Sequence, residues 1–387
     1  MAVFLRRAWY LLIAQVIVAC GDASGPSAPL SFAQLDAGFA ATCGVSTDGR
    51  GYCWGERWVV GRGAGTAEPV PFPQEIPGNR RWRAIEVGRD VACGLTVTNQ
   101  TLCWSRAAFG FSGLDSIPTP LEGDLGFSQI TVGDTHACGL TGSGVAYCWG
   151  DNTRGQRGLA YPDYLTAPRA VALPVAGTFR FLMLRGGPES TCGITIAGDL
   201  ACWGGSEVEG DGFVPHIVQT GFNFNRFAFG GNIGGRGFVC AEDLALTLYC
   251  FGYESHASLP QPTPNPIALP NDLHAFDVAV GGAWLPFLGL PYAFDLHTCS
   301  VDLTRALWCW GSNAYGQLGD GTSTDRLSPT AVSQLTDVAA VTAGGIHTCV
   351  LRSNGMAYCW GGNALGQLGI GSISDQESVP QTVRGPK

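Results

Sequence analysis

Short apolar runs separated by turn-forming residues recur along most of this chain. In HTCVLRSNGMAYCWGGNALGQLG, which extends from His347 to Gly369, two such runs flank the turn signal Ser-Asn-Gly. Successive side chains of a strand point to opposite faces, and a glycine in a tight turn supplies the left-handed conformation that hairpins need. The pattern predicts a β-hairpin with one cysteine in each strand. Such a pair could bind a metal, carry out redox chemistry or belong to a repeat.

Fourteen of the fifteen cysteines form seven pairs, each separated by ten residues. The pairs are Cys43 and Cys53, Cys93 and Cys103, Cys138 and Cys148, Cys192 and Cys202, Cys240 and Cys250, Cys299 and Cys309, and Cys349 and Cys359. Seven equal spacings indicate an internal repeat. Zinc knuckles and C-x-x-C redox motifs use much shorter spacings. Residues ten apart across a turn can instead face each other at ~4.5 Å between α-carbons, which suits a disulfide. We therefore predict one disulfide per hairpin.

A turn residue recurs six positions after each first cysteine. The seven residues are Gly49, Asn99, Gly144, Gly198, Leu246, Arg305 and Gly355. Glycine and asparagine tolerate a left-handed conformation, whereas leucine and arginine do so poorly. We therefore expect hairpins five and six to be less regular than the others.

Three further columns repeat with the cysteines. A glycine stands five residues before the first cysteine in six copies: Gly38, Gly88, Gly133, Gly187, Gly235 and Gly344. An aromatic residue follows each second cysteine: Trp54, Trp104, Trp149, Trp203, Phe251, Trp310 and Trp360. A small residue follows the first cysteine in every copy except the seventh, which has Val350. Alternation places the small residue and the aromatic on one face, and the disulfide with aliphatic residues on the other. Both faces are therefore expected to be buried.

The spacing of the repeats predicts the fold. First cysteines recur every 45 to 59 residues, which leaves room for about four short strands in each unit. Seven four-stranded units with two buried faces predict an all-β, seven-bladed β-propeller over residues 31–387. SVPQTV (Ser378–Val383) matches the start of a unit, and SFAQLDAG (Ser31–Gly38) resembles its continuation. We therefore expect one blade to combine strands from both termini.

Composition agrees with this fold and excludes one class of partner. Of the 387 residues, 45% are apolar and 56 are glycine, which suits many short strands and tight turns. The formal net charge is −9 and Lys387 is the only lysine, so the chain has no basic patch for nucleic acid.

The first thirty residues have the features of an export signal. Arg6 and Arg7 precede the apolar run AWYLLIAQVIVA, which ends at Cys20. Residues 1–19 therefore read as a signal peptide. Ile17–Cys20 resembles a bacterial lipobox, which predicts lipidation of Cys20 and a flexible tether to residue 30. The alternative is an ordinary cleaved signal. Seven disulfides also favour an oxidising compartment, so we expect an exported, envelope-anchored, periplasmic or extracellular protein.

The repeat resembles a known family. GGIHTCVLRSNGMAYCWGGNALGQLGIG (Gly344–Gly371) and HTCSVDLTRALWCWGSNAYGQLGDG (His297–Gly321) are similar to the repeat of the regulator of chromosome condensation family. The resemblance extends over residues 31–387 and implies a seven-bladed propeller. Paired cysteines suggest the exported bacterial branch, which works as a binding scaffold. The family's founding activity, guanine-nucleotide exchange, is a distant alternative because no GTPase-contacting wedge is recognisable.

Few residues suggest catalysis or metal binding. His136, His297 and His347 occupy the same position in copies three, six and seven, but no carboxylate recurs beside them, so we interpret them as structural. Asp320 and Asp325 lie in a single acidic turn that lacks the spacing of a calcium loop. No nucleophile elbow, zinc-protease or phosphate-loop motif occurs. We predict no catalytic residue, metal or cofactor.

An apolar insertion distinguishes copy six. AWLPFLGLPYAFDL (Ala283–Leu296) follows Gly282, and its candidate contact residues are Trp284, Leu285, Phe287, Leu288, Tyr292 and Phe294. Aromatic anchors on a rigid scaffold are typical of binding sites. The insertion either contacts a partner or folds back as a plug.

The sequence thus predicts a monomeric propeller that binds a protein partner through loops on one face and meets the membrane only through its lipid anchor. The alternatives are a polysaccharide-active envelope enzyme and a carbohydrate-binding module. Carboxylates with shifted pKa values at the axis would favour the enzyme.

Overall fold

The structure is a computed structural model. It describes residues 30–61, 68–106, 117–160, 170–205, 213–230, 238–252, 275–282 and 296–386, and the backbone of 263–268. Strands dominate these residues, and the one short helix among them is a 3₁₀ turn at Arg57–Val60.

The strands form seven antiparallel sheets of four. In chain order, and from the inner to the outer edge of each sheet, the blades are β1 (Phe32–Ala37), β2 (Ala41–Ser46), β3 (Gly51–Gly55) and β4 (Val70–Glu75); β5 (Trp82–Val87), β6 (Val91–Thr96), β7 (Thr101–Ser105) and β8 (Thr119–Pro120); β9 (Gln129–Val132), β10 (His136–Leu140), β11 (Ala146–Gly150) and β12 (Leu173–Pro174); β13 (Phe181–Gly186), β14 (Ser190–Thr195), β15 (Leu200–Gly204) and β16 (His216–Gln219); β17 (Phe224–Gly230), β18 (Phe238–Asp243), β19 (Leu248–Gly252) and β20 (Thr263–Ala268); β21 (Ala275–Gly281), β22 (His297–Asp302), β23 (Leu307–Gly311) and β24 (Arg326–Ala331); and β25 (Val338–Ala343), β26 (His347–Arg352), β27 (Ala357–Gly362) and β28 (Gln376–Thr382).

The first strand of each blade lies at the axis of a closed ring. Each of these strands contacts its counterparts in the blades on either side, and β1 closes the ring against β25 and β26. The protein is therefore the seven-bladed β-propeller that the cysteine spacing predicted.

The expectation of a blade shared between the termini is wrong. Every sheet contains four consecutive strands, and no sheet combines β1 with a C-terminal strand. The termini meet at the junction between blades seven and one, where Ser31 bridges Met356 and the Phe32 N–H donates to the Gly355 carbonyl at 2.7 Å. The error came from the phase of the repeat. SPTAV and SVPQTV lie in outer strands that complete a blade, whereas SFAQLDAG contains the inner strand of a new one.

The disulfides form as predicted, one in each blade. Paired cysteines lie directly opposite each other in the second and third strands, with α-carbons 4.0–4.1 Å apart. The predicted irregularity of hairpins five and six is wrong. Leu246 and Arg305 have φ values of 66° and 65°, so they adopt the left-handed conformation of the glycines in the other blades. The cross-linked register leaves these two residues no other conformation that closes the turn.

Leu246→Gly should therefore stabilise the protein. A non-glycine residue in the left-handed region costs about 1 kcal/mol, which glycine avoids. We expect the midpoint of thermal unfolding to rise. Ala245→Gly is the control, because residue 245 in the same turn does not have a positive φ and gains nothing from glycine. An unchanged or lower midpoint for Leu246→Gly alone would contradict this account of the turn.

In five blades the small residue after the first cysteine accommodates a large aromatic side chain at or just before the beginning of the inner strand. A β-carbon on Gly139 would lie 2.5 Å from the ring of Phe127, and Phe127 also stacks on Trp149 with centroids 5.8 Å apart. Phe32, Trp82, Phe181 and Phe224 have the same role in other blades. Blade seven, which has Val350 at the small position, has the smaller Val338 on its inner strand. The two positions therefore compensate in volume in six blades, whereas blade six has small residues, Ala275 and Ser300, at both.

Candidate functional site

The propeller has two different faces. The hairpin face carries the turns between second and third strands and the beginnings of the inner strands, because Ser31 O accepts a hydrogen bond from Thr47 N at 2.9 Å. The loop face carries the connections from first to second strands and from third to fourth strands. The ends of the inner strands lie at this face, and the axis opens between them.

Three junctions between blades share a hydrogen-bonded unit that we call the junction latch. A histidine of one blade contacts a threonine of the next, and the threonine hydroxyl and the tryptophan Nε1–H of that next blade both donate to the backbone carbonyl of a glutamine. The latches are His136, Thr191, Gln156 and Trp203; His297, Thr348, Gln317 and Trp360; and His347, Thr42, Gln367 and Trp54.

The latch gives the three repeated histidines a structural role. Their Nε2 atoms lie 2.8–2.9 Å from the threonine oxygens. Each threonine has one hydroxyl proton, which it donates to the glutamine carbonyl, so the histidine Nε2 must carry the proton and donate to threonine. Burial lowers the pKa of His136 to about 4 and that of His347 to about 3, which keeps both rings neutral.

Thr348→Val should weaken the junction between blades six and seven. The change keeps the shape of the side chain but removes a hydroxyl that lies 2.9 Å from His297 Nε2 and 2.8 Å from Gln317 O. Loss of a buried polar partner costs about 1–3 kcal/mol, so we expect a lower unfolding midpoint in a thermal melt. Thr178→Val is the control, because Thr178 is exposed. Equal midpoints for the two variants would show that the latch contributes nothing.

Blade one reaches part of the same arrangement with a different sequence. It lacks Gly-Gln-Leu-Gly, and the 3₁₀ turn at Arg57–Val60 takes its place. The carbonyl of Val59 accepts the Trp104 Nε1–H at 2.9 Å, as a glutamine carbonyl does in the latches. The sequence did not reveal this hydrogen bond, because any residue can supply the accepting backbone carbonyl and blade one has no glutamine at the equivalent place.

Glycines at the ends of the inner strands let neighbouring blades approach at the axis. A β-carbon on Gly38 would lie 2.5 Å from the carbonyl oxygen of Gly88, and one on Gly88 would overlap the carbonyl oxygen of Gly133. Gly344 stands in the same relation to Gly38, which continues the glycine series across the closing junction. Gly235, predicted from spacing for blade five, lies outside the described residues.

Five polar side chains and two alanines occupy equivalent positions on the inner strands around the axis. The seven ring positions are paired in register with the first cysteines: Asp36, Glu86, Thr131, Arg185, Ala228, Ala279 and Thr342. We call this set the axial ring. Several members bind the next blade, since Asp36 accepts from Val87 N at 2.6 Å and Thr131 accepts from Gly186 N at 2.8 Å.

Two carboxyl groups of the axial ring have raised pKa values. Burial raises the pKa of Asp36 to about 6, against the hydrogen bond from Val87 and the charge of Arg185. Burial also raises the pKa of Glu86 to about 8; the charge of Asp36 acts in the same direction and Arg185 opposes it. At neutral pH Glu86 is therefore protonated and Asp36 is ionised.

Glu86→Gln should make the protein more stable at alkaline pH. The folded protein retains the Glu86 proton between the ordinary pKa of 4.5 and about 8, so this stabilisation is complete below 4.5 and is lost as pH rises through 8. Glutamine resembles the protonated form at every pH. We expect equal unfolding midpoints at pH 4.5 and an advantage of about 2 kcal/mol for the variant at pH 9, allowing for screening by water.

Thermal melts across this pH range provide the measurement, with the exposed Glu122→Gln as the control. A constant difference between Glu86→Gln and the parent protein at every pH would contradict a buried, protonated glutamate.

Charged side chains continue from the axial ring onto the loop face. Arg106 pairs with Glu56 and lies 3.6 Å from Asp90, so it connects blades one and two. Burial raises the pKa of Asp134 to about 7; Arg89 opposes this, while Asp90 adds to it. We call these five residues the loop-face cluster. It presents both charges on the loop face of blades one to three, as a polar recognition surface requires.

The other candidates from the sequence have different outcomes. Asp320 accepts hydrogen bonds from Thr322 and pairs with Arg326 at 2.5 Å; these contacts outweigh burial and lower its pKa, so its oxygens are already used. Among the described residues there is no cluster of three histidine, cysteine or acidic side chains able to hold a metal. Cys20 and the insertion residues Trp284, Leu285, Phe287, Leu288, Tyr292 and Phe294 lie outside the described residues.

Fold and junctions together define a class: a repeat-built, disulfide-linked, seven-bladed β-propeller. The profile described as "Regulator of chromosome condensation (RCC1) repeat" matches residues 306–351 and 354–387, and a second profile of the same description matches 127–156 and 338–367. These segments contain most of blade three, the second half of blade six and all of blade seven, and they include His136, His347 and the three glutamines of the latches. These segments of the chain therefore contain repeats of the regulator of chromosome condensation type.

Known proteins resemble parts of the chain or its fold. The ultraviolet-B receptor UVR8 of Arabidopsis thaliana is 26% identical over 196 residues, which are 47% of this chain and 40% of the receptor, so the match spans less than half of that relative. Human WBSCR16 superposes with a TM-score of 0.70 at 17% identity, covering 84% of this chain and 88% of its own. The ectodomain of the Physcomitrella patens receptor kinase CR4 gives 0.54 at 18% identity, covering 86% and 75%. These two structures share the fold.

The cysteines also define the chemical environment. Seven disulfides indicate an oxidising environment, such as the extracellular space or the periplasm. No helix among the described residues is long and apolar enough to cross a bilayer.

Proposed function

We propose that this protein is an exported, lipid-anchored scaffold that binds a protein partner on its loop face. The proposal rests mainly on one observation: the repeated residues and the loop-face connections have different roles. The repeated residues are used for disulfides, latches and axial packing, whereas the connections at the loop face differ in length and sequence from blade to blade. Rigid scaffolds commonly carry recognition on such variable loops.

The loop-face cluster supports this proposal. Glu56, Arg106 and Asp90 form a charged network on the loop face of blades one and two, and this is also the face at which β21 ends and β22 begins on either side of the copy-six insertion. Apolar anchors beside a polar, charged surface are the usual composition of a protein interface. The insertion is therefore proposed as a contact element, and the cluster as the source of specificity.

The test is quantitative capture of a partner by variants altered on one face only. The mature protein would be immobilised and used to capture partners from envelope extract or medium. It would be compared with Arg106→Glu and with a variant in which residues 284–294 are replaced by a short Gly-Ser linker. This replacement keeps Leu296, whose carbonyl accepts from Ser312 N at 2.8 Å. Thr98→Glu on the hairpin face is the matched control.

A captured protein would then be purified and its Kd measured for each form. We expect at least a tenfold loss for Arg106→Glu or for the linker variant, and no change for Thr98→Glu. Equal Kd values for all forms would show that the partner does not bind the altered residues of the loop face. Absence of any saturable protein partner would reject the scaffold function.

The axial carboxyl groups favour a second candidate, a polysaccharide-active enzyme. Protonated Glu86 and ionised Asp36 lie in neighbouring strands and have the protonation states of a general acid and a base. Against this, both oxygens of Asp36 accept hydrogen bonds within the ring, from Val87 N at 2.6 Å and from Thr342 Oγ1 at 3.5 Å. Hydrolysis of an envelope-glycan panel that is lost in Glu86→Gln would support the enzyme and displace the scaffold.

A further inference from the structure

Large apolar side chains are exposed on one part of the hairpin face. Leu182, Ile196, Leu244, Phe276 and Leu303 are 57%, 67%, 71%, 37% and 54% exposed, and they lie in the three consecutive blades four, five and six. We call this set the apolar crescent. Single exposed leucines are ordinary on protein surfaces, but five across adjacent blades are characteristic of an interaction site.

The fold itself does not require these residues to be apolar. Ile196, Leu244 and Leu303 stand four residues after the first cysteine. Blades one, three and seven have Thr47, Gly142 and Ser353 at this position, and blade two has the exposed Val97. Leu182 and Phe276 lie at the bulge near the beginning of the inner strand, where blade two has Arg83 and blade one has Ala33. Polar or small residues therefore serve equally well in the same backbone positions.

A carboxylate beside the crescent accepts hydrogen bonds within its own turn, and two arginines lie near the ring of Phe276. Asp243 Oδ1 accepts from the backbone N–H groups of Ala245 and Thr247, both at 2.9 Å. The guanidinium carbons of Arg226 and Arg305 lie 5.8 and 5.2 Å from the centre of the Phe276 ring. The surface thus combines aliphatic side chains with cations at their edge, which is the composition of a membrane-contacting patch.

The N-terminal segment brings this face toward the membrane. Ser31 lies at the hairpin face between the turns of blades one and seven, where its carbonyl accepts from Thr47 N. The eleven residues from Cys20 to Leu30 span at most about 35 Å when extended. A lipid on Cys20 would therefore hold a bilayer close to the hairpin face.

We propose that the apolar crescent rests on a lipid bilayer and holds the loop face away from the membrane, toward a partner. This inference builds on the lipid anchor of the proposed function, and it adds a second, weaker membrane contact made by the propeller itself. The lipid would hold only the N-terminus of the chain, so a second contact made by the propeller would fix its orientation on the bilayer.

The test uses the mature chain, residues 20–387 with Cys20→Ser, so that no anchor contributes. Co-flotation would be measured with vesicles of phosphatidylethanolamine and phosphatidylglycerol and with vesicles of phosphatidylcholine. The test variant is Ile196→Ser/Leu244→Ser/Leu303→Ser. The matched control is Ile117→Ser/Leu327→Ser/Ile373→Ser, which alters equally exposed aliphatic residues outside the crescent.

We expect the parent chain to float with the anionic vesicles, the test variant to lose at least tenfold in partition coefficient, and the control to match the parent. No flotation of the parent chain, or equal loss in both variants, would overturn the proposal. So would a concentration-dependent dimer in sedimentation velocity that only the test variant abolishes, because the crescent would then join two copies. The mass of the native N-terminal peptide tests the anchor separately, so the two ideas fail independently.

Discussion

Gly88→Ala should be among the most damaging single substitutions in this protein. The added β-carbon would overlap the carbonyl oxygen of Gly133 in the next blade, and backbone on both sides leaves no side chain that could move aside. Overpacking of this kind costs about 3 kcal/mol. We expect a large fall in the unfolding midpoint and a smaller yield of folded protein.

Gly142→Ala isolates the cause. Gly142 does not have a positive φ, and a β-carbon there meets nothing within 4 Å. Both substitutions reduce the entropy of the unfolded chain equally, so only the contact with Gly133 distinguishes them. Thermal melts of the two variants give the comparison. Similar midpoints would mean that the inner strands of blades two and three can move apart without cost. Close approach of the blades would then not explain the glycines at the ends of the inner strands.

Reduction of the seven disulfides should prevent refolding. Each bond closes a ten-residue loop, for which chain entropy gives about 2.5 kcal/mol. Half that value, summed over seven blades, is about 9 kcal/mol, which is as large as the whole ~5–15 kcal/mol stability of an ordinary domain. Protein that is denatured, reduced, alkylated and diluted into buffer should lack the near-ultraviolet circular dichroism of its buried tryptophans.

Two controls distinguish the effect of losing the disulfides from the effect of denaturation and dilution themselves. Oxidised protein passed through the same denaturation and dilution should regain its spectrum. Cys349→Ala/Cys359→Ala, which removes one bond, should fold with a loss of about 2 kcal/mol. Recovery of the native spectrum by the reduced, alkylated chain would show that packing alone specifies the ring.

The axial carboxyl groups link the two candidate functions to a single pair of residues. Glu86→Gln is expected to stabilise the fold at high pH whichever function is correct, because burial of the charged form is unfavourable in either case. Only the enzyme function requires the Glu86 proton for activity. Stability and glycan hydrolysis measured on the same variant therefore separate structural from catalytic use of this group.

The features that repeat within each hairpin were predictable from the sequence. A ten-residue spacing with a central turn fixes a cross-hairpin pair, so the disulfides, the hairpins and the number of blades followed from the cysteines alone. The glycine column was also visible, although its purpose was not. Each of these features depends on residues close together in the chain, and seven repetitions distinguish them from chance.

Errors arose where the cross-linked hairpin overrode local preference. Leu246 and Arg305 disfavour a positive φ, yet both adopt it because the disulfide register fixes the length of the turn. The phase of the blades was misjudged for a related reason. A periodic sequence has no intrinsic starting point, and only strand pairing shows that Phe32–Ala37 begins a blade and Gln376–Thr382 completes one.

The sequence by itself therefore determined the repeated unit, its covalent cross-links and the closed architecture that seven such units form. Tertiary structure decided which units meet. The latch between His347 and Thr42 joins residues 305 positions apart, and Asp36 and Glu86 become neighbours only when their strands surround one axis. Contacts of this kind depend on how blades pack around the ring, and no local spacing specifies them. For that reason the charges of the axis, the division of the surface into two faces and the apolar crescent were visible only in the folded protein.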